Sequence, residues 1–387
     1  MSLSRSSVGA LLGIALLLGG IAGDARAADG AQRLNLRALR VTAEGASAPT
    51  VGGGRTELTL EPELQRRADR LLAGAAPVAG AIVAVDLATG GVLVWAERTA
   101  PGQARGSVLL EARAPAASVM KVVTAAALFE HTSVSPAKRV CTIGGLRRVD
   151  REHLRPPRTG AALCAPFSQA LGHSRNAAFA QLVAAHLDRE ELLETAEALG
   201  FNQRLPFDVP VTTGTLSLPH DDLDFARAAT GFRDSTLTPL GGAYLASVVA
   251  KGGRSVPLHI VQAPHDAEAP PSTRVLSART AHRLARMMEV TVHSGTALKA
   301  FSDPSGMSYL RGIRVAGKTG TLKPTADAPT TSWFIGFAPS RRPAIAVSVL
   351  LLNGEVWRRK ANEVARDLLR IYFRSRGETA ISDPADD

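Results

Sequence analysis

The sequence is poor in aromatic residues, 4% of 387, has only two cysteines, and contains no internal repeat. With 45% hydrophobic and 21% charged residues it is globular in composition, which excludes wholesale disorder, collagen-like repetition and a multi-span membrane protein. The usual hydrolase signatures are missing too. There is no G-x-S-x-G elbow and no H-E-x-x-H, and none of the nine histidines has the spacing of a triad partner. His220-Asp221-Asp222 and His265-Asp266 lie beside prolines in polar, turn-forming stretches and read as solvated loops, so no metal and no cofactor is expected. RNP, zinc-knuckle and helix-turn-helix signatures are likewise missing, and the net charge of +10 is read as a surface property rather than as a nucleic-acid footprint.

What is present begins at the N-terminus. Arg5 opens a positive stretch, residues 8–22 are uncharged and leucine-rich, and Ala25-Arg26-Ala27 offers small residues where signal peptidase reads. Together they predict a signal peptide over residues 1–27, or an uncleaved anchor, although the run is shorter than the ~20 residues a spanning helix needs. The chain is therefore expected to be exported, to the periplasm or the extracytoplasmic face of the membrane. There a cysteine pair reads first as a disulfide, Cys141 with Cys164, the alternative being two buried thiols. Between them lie Arg147, Arg148, Arg151, Arg155 and Arg158.

Residues 28–56, rich in Ala, Gly, Arg and Thr, read as a flexible tether. An extended piece and a helix follow over 57–72. Residues 80–86 and 91–97 form a β-hairpin. A long helical and loop-rich block runs from about 118 to 288, including helices over 176–200, 239–250 and 277–292. Strands return over 311–317, 332–337 and 344–352, an amphipathic helix covers 355–373, and an acidic tail closes the chain from 376 to 387. The order predicts an α/β (α+β) domain over 57–375: one antiparallel sheet from both chain ends, with flanking helices and an inserted helical subdomain.

Three short motifs carry the chemistry. Ser118-Val119-Met120-Lys121 opens the apolar run VMKVVTAAALF, read as a buried helix. Residues i and i+3 share a helix face, so the Lys121 amine can reach the Ser118 hydroxyl and, if buried enough to be neutral, activate it without a histidine. The chain also contains Ser135-Pro136-Ala137-Lys138, which matches the same spacing but has no apolar helix to bury its lysine. Ser174-Arg175-Asn176 follows Ser118 by 56 residues at a helix start. Its serine can relay a proton and its asparagine can hold a substrate amide, and capping of the helix is the plainer alternative. Lys318-Thr319-Gly320-Thr321 lies on a predicted strand: the lysine supplies positive charge, the threonines supply hydrogen bonds, and the small Gly320 lets a substrate backbone approach the edge.

Ser-x-x-Lys, Ser-x-Asn and Lys-Thr-Gly in that order resemble the serine penicillin-recognising enzymes, and the chain resembles the transpeptidase domain of a penicillin-binding protein. Further likenesses are Leu237-Thr238-Pro239-Leu240 with Ala250-Lys251-Gly252-Gly253, Ser294-Gly295-Thr296-Ala297, and the stretch from Ser332-Trp333-Phe334 to Ala338-Pro339. Ala116-Ala117 stand before Ser118 where many relatives have Pro-Gly. The resemblance implies acylation of Ser118 by D-Ala-D-Ala stem peptides of peptidoglycan, and by β-lactams. Lys121 would be the base, Ser174 and Lys318 would complete the proton network, and Asn176, Thr319, Gly320 and Thr321 would bind substrate. Membrane or cell-wall assembly proteins are possible further partners. A D,D-carboxypeptidase, a class D-like β-lactamase and a non-catalytic β-lactam sensor or envelope scaffold are the alternatives. Against a class A β-lactamase, Pro210 stands about 36 residues past Ser174, where a water-activating glutamate would be needed. The arginine-rich segment reads as a solvated basic loop, with binding of an anionic stem peptide as the alternative.

Overall fold

The computed structural model describes residues 34–102, 107–158, 160, 162–264 and 271–377. The expected leader, nearly all of the acidic tail and His265-Asp266 lie outside them. The described chain opens with three short strands, β1 (Arg40–Val41), β2 (Ala46–Pro49) and β3 (Arg55–Leu58), paired antiparallel in that order. Over residues 34–56 they correct the flexible tether expected over 28–56, whose first six residues lie outside the described ones. Leu36, Ala46, Ala48 and Leu58 are buried, and the Thr59 N–H donates to the Ile260 carbonyl at 2.8 Å. A few small apolar residues at alternate positions suffice to dock the segment, although its bulk composition is that of a linker.

Helix α1 (Pro62–Ala75) begins with proline in its first turn and buries Leu64, Ala68, Leu72 and Ala75 on one stripe. The hairpin is β4 (Ala79–Asp86) and β5 (Val92–Thr99). After β6 (Ala114–Pro115), a 3₁₀ turn at Ala117–Val119 runs into α2 (Met120–His131). The paired strands β7 (Arg139–Thr142) and β8 (Leu163–Pro166) flank the arginine-rich excursion, followed by α3 (Phe167–Gly172), α4 (Asn176–His186) and α5 (Arg189–Ala198). Next come β9 (Thr215–Leu216), α6 (Asp222–Thr230), β10 (Ser235–Leu237), α7 (Pro239–Ala250), α8 (Ala278–His293) and α9 (Leu298–Phe301). Strands β11 (Ala316–Leu322), β12 (Thr330–Ala338) and β13 (Ile345–Asn353) precede α10 (Ala361–Arg374).

Two of these elements start five residues or more from the sequence expectation. The strand expected from 311 starts at Ala316, because Gly312 turns the chain at a φ of +76°. The helix expected from 355 starts at Ala361, where the Glu363 carboxylate accepts from the Lys360 N–H at 2.9 Å; residues 355–360 form a loop.

The main sheet has the order β11-β12-β13-β4-β5, antiparallel throughout, so both ends of the chain build it. Its strands alternate between two buried faces. Ile82, Ala84, Phe334, Val347 and Val349 pack with α1 and α10, while Ala81, Val83, Val85, Ile335 and Phe337 share a core with α2, α7 and α8. Lys318 and Gly320 pair across from Ile335 and Trp333, which puts them on the face turned toward the helical block. No helix among the described residues is long and apolar enough to cross a membrane.

Candidate active site

Ser118 sits in the 3₁₀ turn at the mouth of α2, and Lys121 lies one turn on, completely buried. The Lys121 Nζ is 2.9 Å from the Ser118 Oγ and 2.7 Å from the Thr230 carbonyl, which ends α6. Burial, and secondarily the charge of Lys318, pushes the Lys121 ammonium well below its ordinary range. A neutral amine keeps an N–H for Thr230 and a lone pair for the Ser118 O–H. Lys318 is also fully buried; its Nζ donates to the Ser174 Oγ at 3.1 Å and to the Thr319 carbonyl at 2.7 Å, and burial pulls it down to about 7. The two lysine–serine pairs thus meet in one place from α2, the α3–α4 connection and β11.

The backbone around them is strained and interlocked. Ala117 has a φ of +49° and Ser174 one of +56°, left-handed values that side chains adopt rarely. The turn before Ser118 is therefore one that suits glycine, and alanine adopts it here. Gly231 explains how it is held: a Cβ there would lie 1.9 Å from the Ala117 carbonyl oxygen, so only glycine lets the backbone after α6 press against the turn that carries Ser118. Gly320 has a related role. A Cβ on it would meet the Ala117 Cβ at 3.3 Å and the Trp333 Cβ at 3.1 Å, so its smallness first serves the chain's own packing under Ser118. Trp333 secures the same region by donating its indole N–H to the Pro115 carbonyl at 2.9 Å.

Asn176 is the first residue of α4 but does not cap it. Its Nδ2 donates to the Leu146 carbonyl at 2.6 Å, tying the helix to the excursion between β7 and β8. Cys141 and Cys164 face each other in register across those strands and are disulfide-bonded. Thr319 and Thr296 share a hydroxyl–hydroxyl bond of 2.5 Å.

Above the two lysines opens a cleft of about 670 Å³. Ser118, Ser174, Asn176, Thr319 and Thr321 line it, and sequence reasoning also singled out these five. Reasoning from the sequence missed His173, Thr230, Gly231 and the 357–362 side of the cleft, and gave Thr296 only as part of a family motif; no local pattern marks them. Ser135 and Lys138 lie in a turn outside the cleft, with Lys138 exposed. Among the described residues no group of His, Cys, Asp and Glu could hold a metal ion.

A serine held against a buried lysine whose charged form is disfavoured, with a second lysine–serine pair beside it, is an arrangement suited to acyl-serine chemistry without histidine. The family model described as penicillin binding protein transpeptidase domain matches residues 80–370, and the chain belongs to that family. It is an enzyme of the serine transpeptidase class. Among curated proteins it is similar to the peptidoglycan D,D-transpeptidase PbpA of Mycolicibacterium smegmatis, 25% identical over 347 residues, spanning 78% of this chain and 68% of that protein. The PbpA of Mycobacterium tuberculosis is 24% identical over 345 residues, with the same coverage. In fold the chain is similar to a D,D-transpeptidase domain from Eggerthella lenta, with a TM-score of 0.68, 23% identity and 84% of each chain covered. The structure of PBPA from M. tuberculosis gives a TM-score of 0.66 at 23% identity, covering 84% of this chain and 82% of that one.

Proposed function

We propose that the protein is an acyl-serine D,D-transpeptidase of peptidoglycan synthesis, acting on D-Ala-D-Ala stem peptides and acylated by β-lactams, with residues 57–375 as its catalytic domain. The observation that carries this reading is the Lys121 amine, fully buried and 2.9 Å from the Ser118 hydroxyl. Lys121 takes the Ser118 proton as Oγ attacks the carbonyl of the penultimate D-Ala. The backbone N–H groups of Ser118 and Thr321 stabilise the oxyanion. The C–N bond then breaks, and the departing D-Ala amine receives a proton through Ser174, which Lys318 keeps oriented. Asn176 orients the acyl side chain, and Thr319 and Thr321 hold the terminal carboxylate beside Lys318. An acceptor amine attacks the ester carbonyl and gives its proton to Lys121, which passes it to the Ser118 Oγ as the acyl C–O bond breaks, restoring the free serine and the neutral amine. A β-lactam enters by the same attack, its ring amide breaking while the acyl group stays on the serine. In PBPA of M. tuberculosis a ceftriaxone acyl-enzyme complex is known, and the related fold here supports the same susceptibility.

The reading places the protein outside the cytoplasm, with residues 1–27 as its export leader. The test is to incubate the protein with a pentapeptide donor, with and without an amine acceptor, and to identify products by mass. A cross-linked product with release of D-Ala is expected. Release of D-Ala with no cross-link makes it a carboxypeptidase, and no labelling by penicillin removes the acyl-serine reading altogether.

A further inference from the structure

The side chains lining the cleft include three cations, Arg147, Lys323 and Lys360, and no carboxylate. Of the excursion's arginines, Arg148 is paired with Asp150 and Arg151 with Asp221, whereas Arg147, Arg155 and Arg158 are exposed and have no ion pair among the described residues; of these three only Arg147 lines the cleft. It is held at the cleft because the preceding residue, Leu146, accepts the hydrogen bond from Asn176. Lys323 directly follows β11, and Lys360 directly precedes α10. The two are brought to the same end because Thr321 pairs with Ser332 across the strands, and the Ser332 Oγ accepts from the Ala361 N–H at 3.1 Å. The nearest carboxylate on that element, Glu363, is engaged with the Lys360 backbone N–H. Trp357 and Asn362 give this end an indole and an amide alongside the two ammonium groups.

A single terminal carboxylate is already accounted for by Lys318, Thr319 and Thr321. The three outer cations have no such partner, and a water-filled cleft with only positive rim charges concentrates anionic ligands. We infer that the cleft selects donor peptides carrying further free carboxylates upstream of the D-Ala-D-Ala pair, read by Arg147 from the excursion and by Lys323 and Lys360 from the far end. This inference rests on the transpeptidase reading above and names the form of stem peptide it prefers. Amidation of those upstream carboxylates removes the charge while leaving the peptide's length and backbone unchanged.

The test compares two synthetic pentapeptide donors, one with its upstream carboxylates free and one with them amidated, following D-Ala release. The free-acid donor is expected to be favoured about tenfold in kcat/KM at low salt, mostly through KM, as several partly exposed pairs acting together would give. The preference shrinks at 0.5 M salt, because exposed charges are screened. In the triple variant Arg147→Gln, Lys323→Gln, Lys360→Gln the ratio between the two donors falls toward one. That ratio is taken within each protein, so a general loss of activity does not enter it. Equal rates for the two donors in the wild-type protein, or an undiminished ratio in the triple variant, would overturn the inference and leave the transpeptidase reading standing. Absence of penicillin labelling and of D-Ala release with both donors would overturn both.

Discussion

The chain spells Ser-x-x-Lys twice within twenty-one residues, at 118–121 and at 135–138, and only the first puts its serine on the cleft. The first is followed by α2, whose residues from Met120 to Phe129 are all buried, and its lysine has lost contact with water. The second lies in the turn before β7, where Pro136 follows the serine and Lys138 is exposed. In the first copy the Lys121 Nζ reaches both Ser118 and a helix-terminal carbonyl. The spacing brings an amine to a hydroxyl, but what makes that amine a base is the free energy the rest of the fold spends on keeping it dry.

The largest test of this contrast removes each serine. Ser118→Ala should abolish covalent labelling by a fluorescent penicillin, while Ser135→Ala should leave labelling at wild-type level; the opposite pattern would exchange the two assignments. Removing each lysine sharpens it. Lys121→Ala should slow acylation by about 10²–10⁴-fold, the range for a positioned general base, whereas Lys138→Ala should change the rate less than twofold.

Just past the second copy, β7 carries a cross-link to β8. Replacing Cys141 and Cys164 by serine should lower unfolding stability by about 3 kcal/mol in the chain-entropy picture, read from denaturant midpoints. It should also loosen the Leu146–Asn176 contact.

Acidity distinguishes the buried pair in another way. Lys318 titrates near 7 in the folded protein and near 10.5 in the unfolded chain. Between those values only the unfolded state holds the proton, so stability should rise with pH, by on the order of 2 kcal/mol from pH 7 to 9. Lys318→Met should flatten that rise. Acylation should fall as pH drops below about 7, where Lys318 regains its proton. The smallest effect is expected at Ala117, whose φ is +49°. Ala117→Gly should relieve roughly 1 kcal/mol of left-handed strain, raise the thermal midpoint slightly and leave the acylation rate nearly intact.

The sheet, its two-ended origin and the placing of Ser118 beside Lys121 were legible because each rests on short-range signals: short β-rich apolar runs in residues 80–97 and 332–352, and an apolar run directly after Ser118. Most of the helices followed for the same reason, with α7 matching its expected bounds. What escaped depends on contacts between distant segments. Gly231 looks like any helix-terminal glycine until the Ala117 carbonyl lies against it. Asn176 could have been a cap, and its partner, Leu146, lies thirty residues earlier inside a loop of arginines. The small sheet over 40–58 was hidden for the opposite reason: its buried residues are mainly alanines, too small to stand out from the glycine and threonine around them.

Because β13 pairs with β4 on one side and β12 on the other, the chain cannot finish its sheet in the order in which it is made. The hairpin near the N-terminus must wait, one edge open, for a strand that begins at Ile345. Ser118 and Lys121 are synthesised early, yet Lys318 reaches them only once the last third of the chain has emerged. Such long-range closure folds slowly. It makes the enzyme's birth all-or-nothing: a growing or truncated chain carries the reactive residues but has no working site until the far end is stitched in.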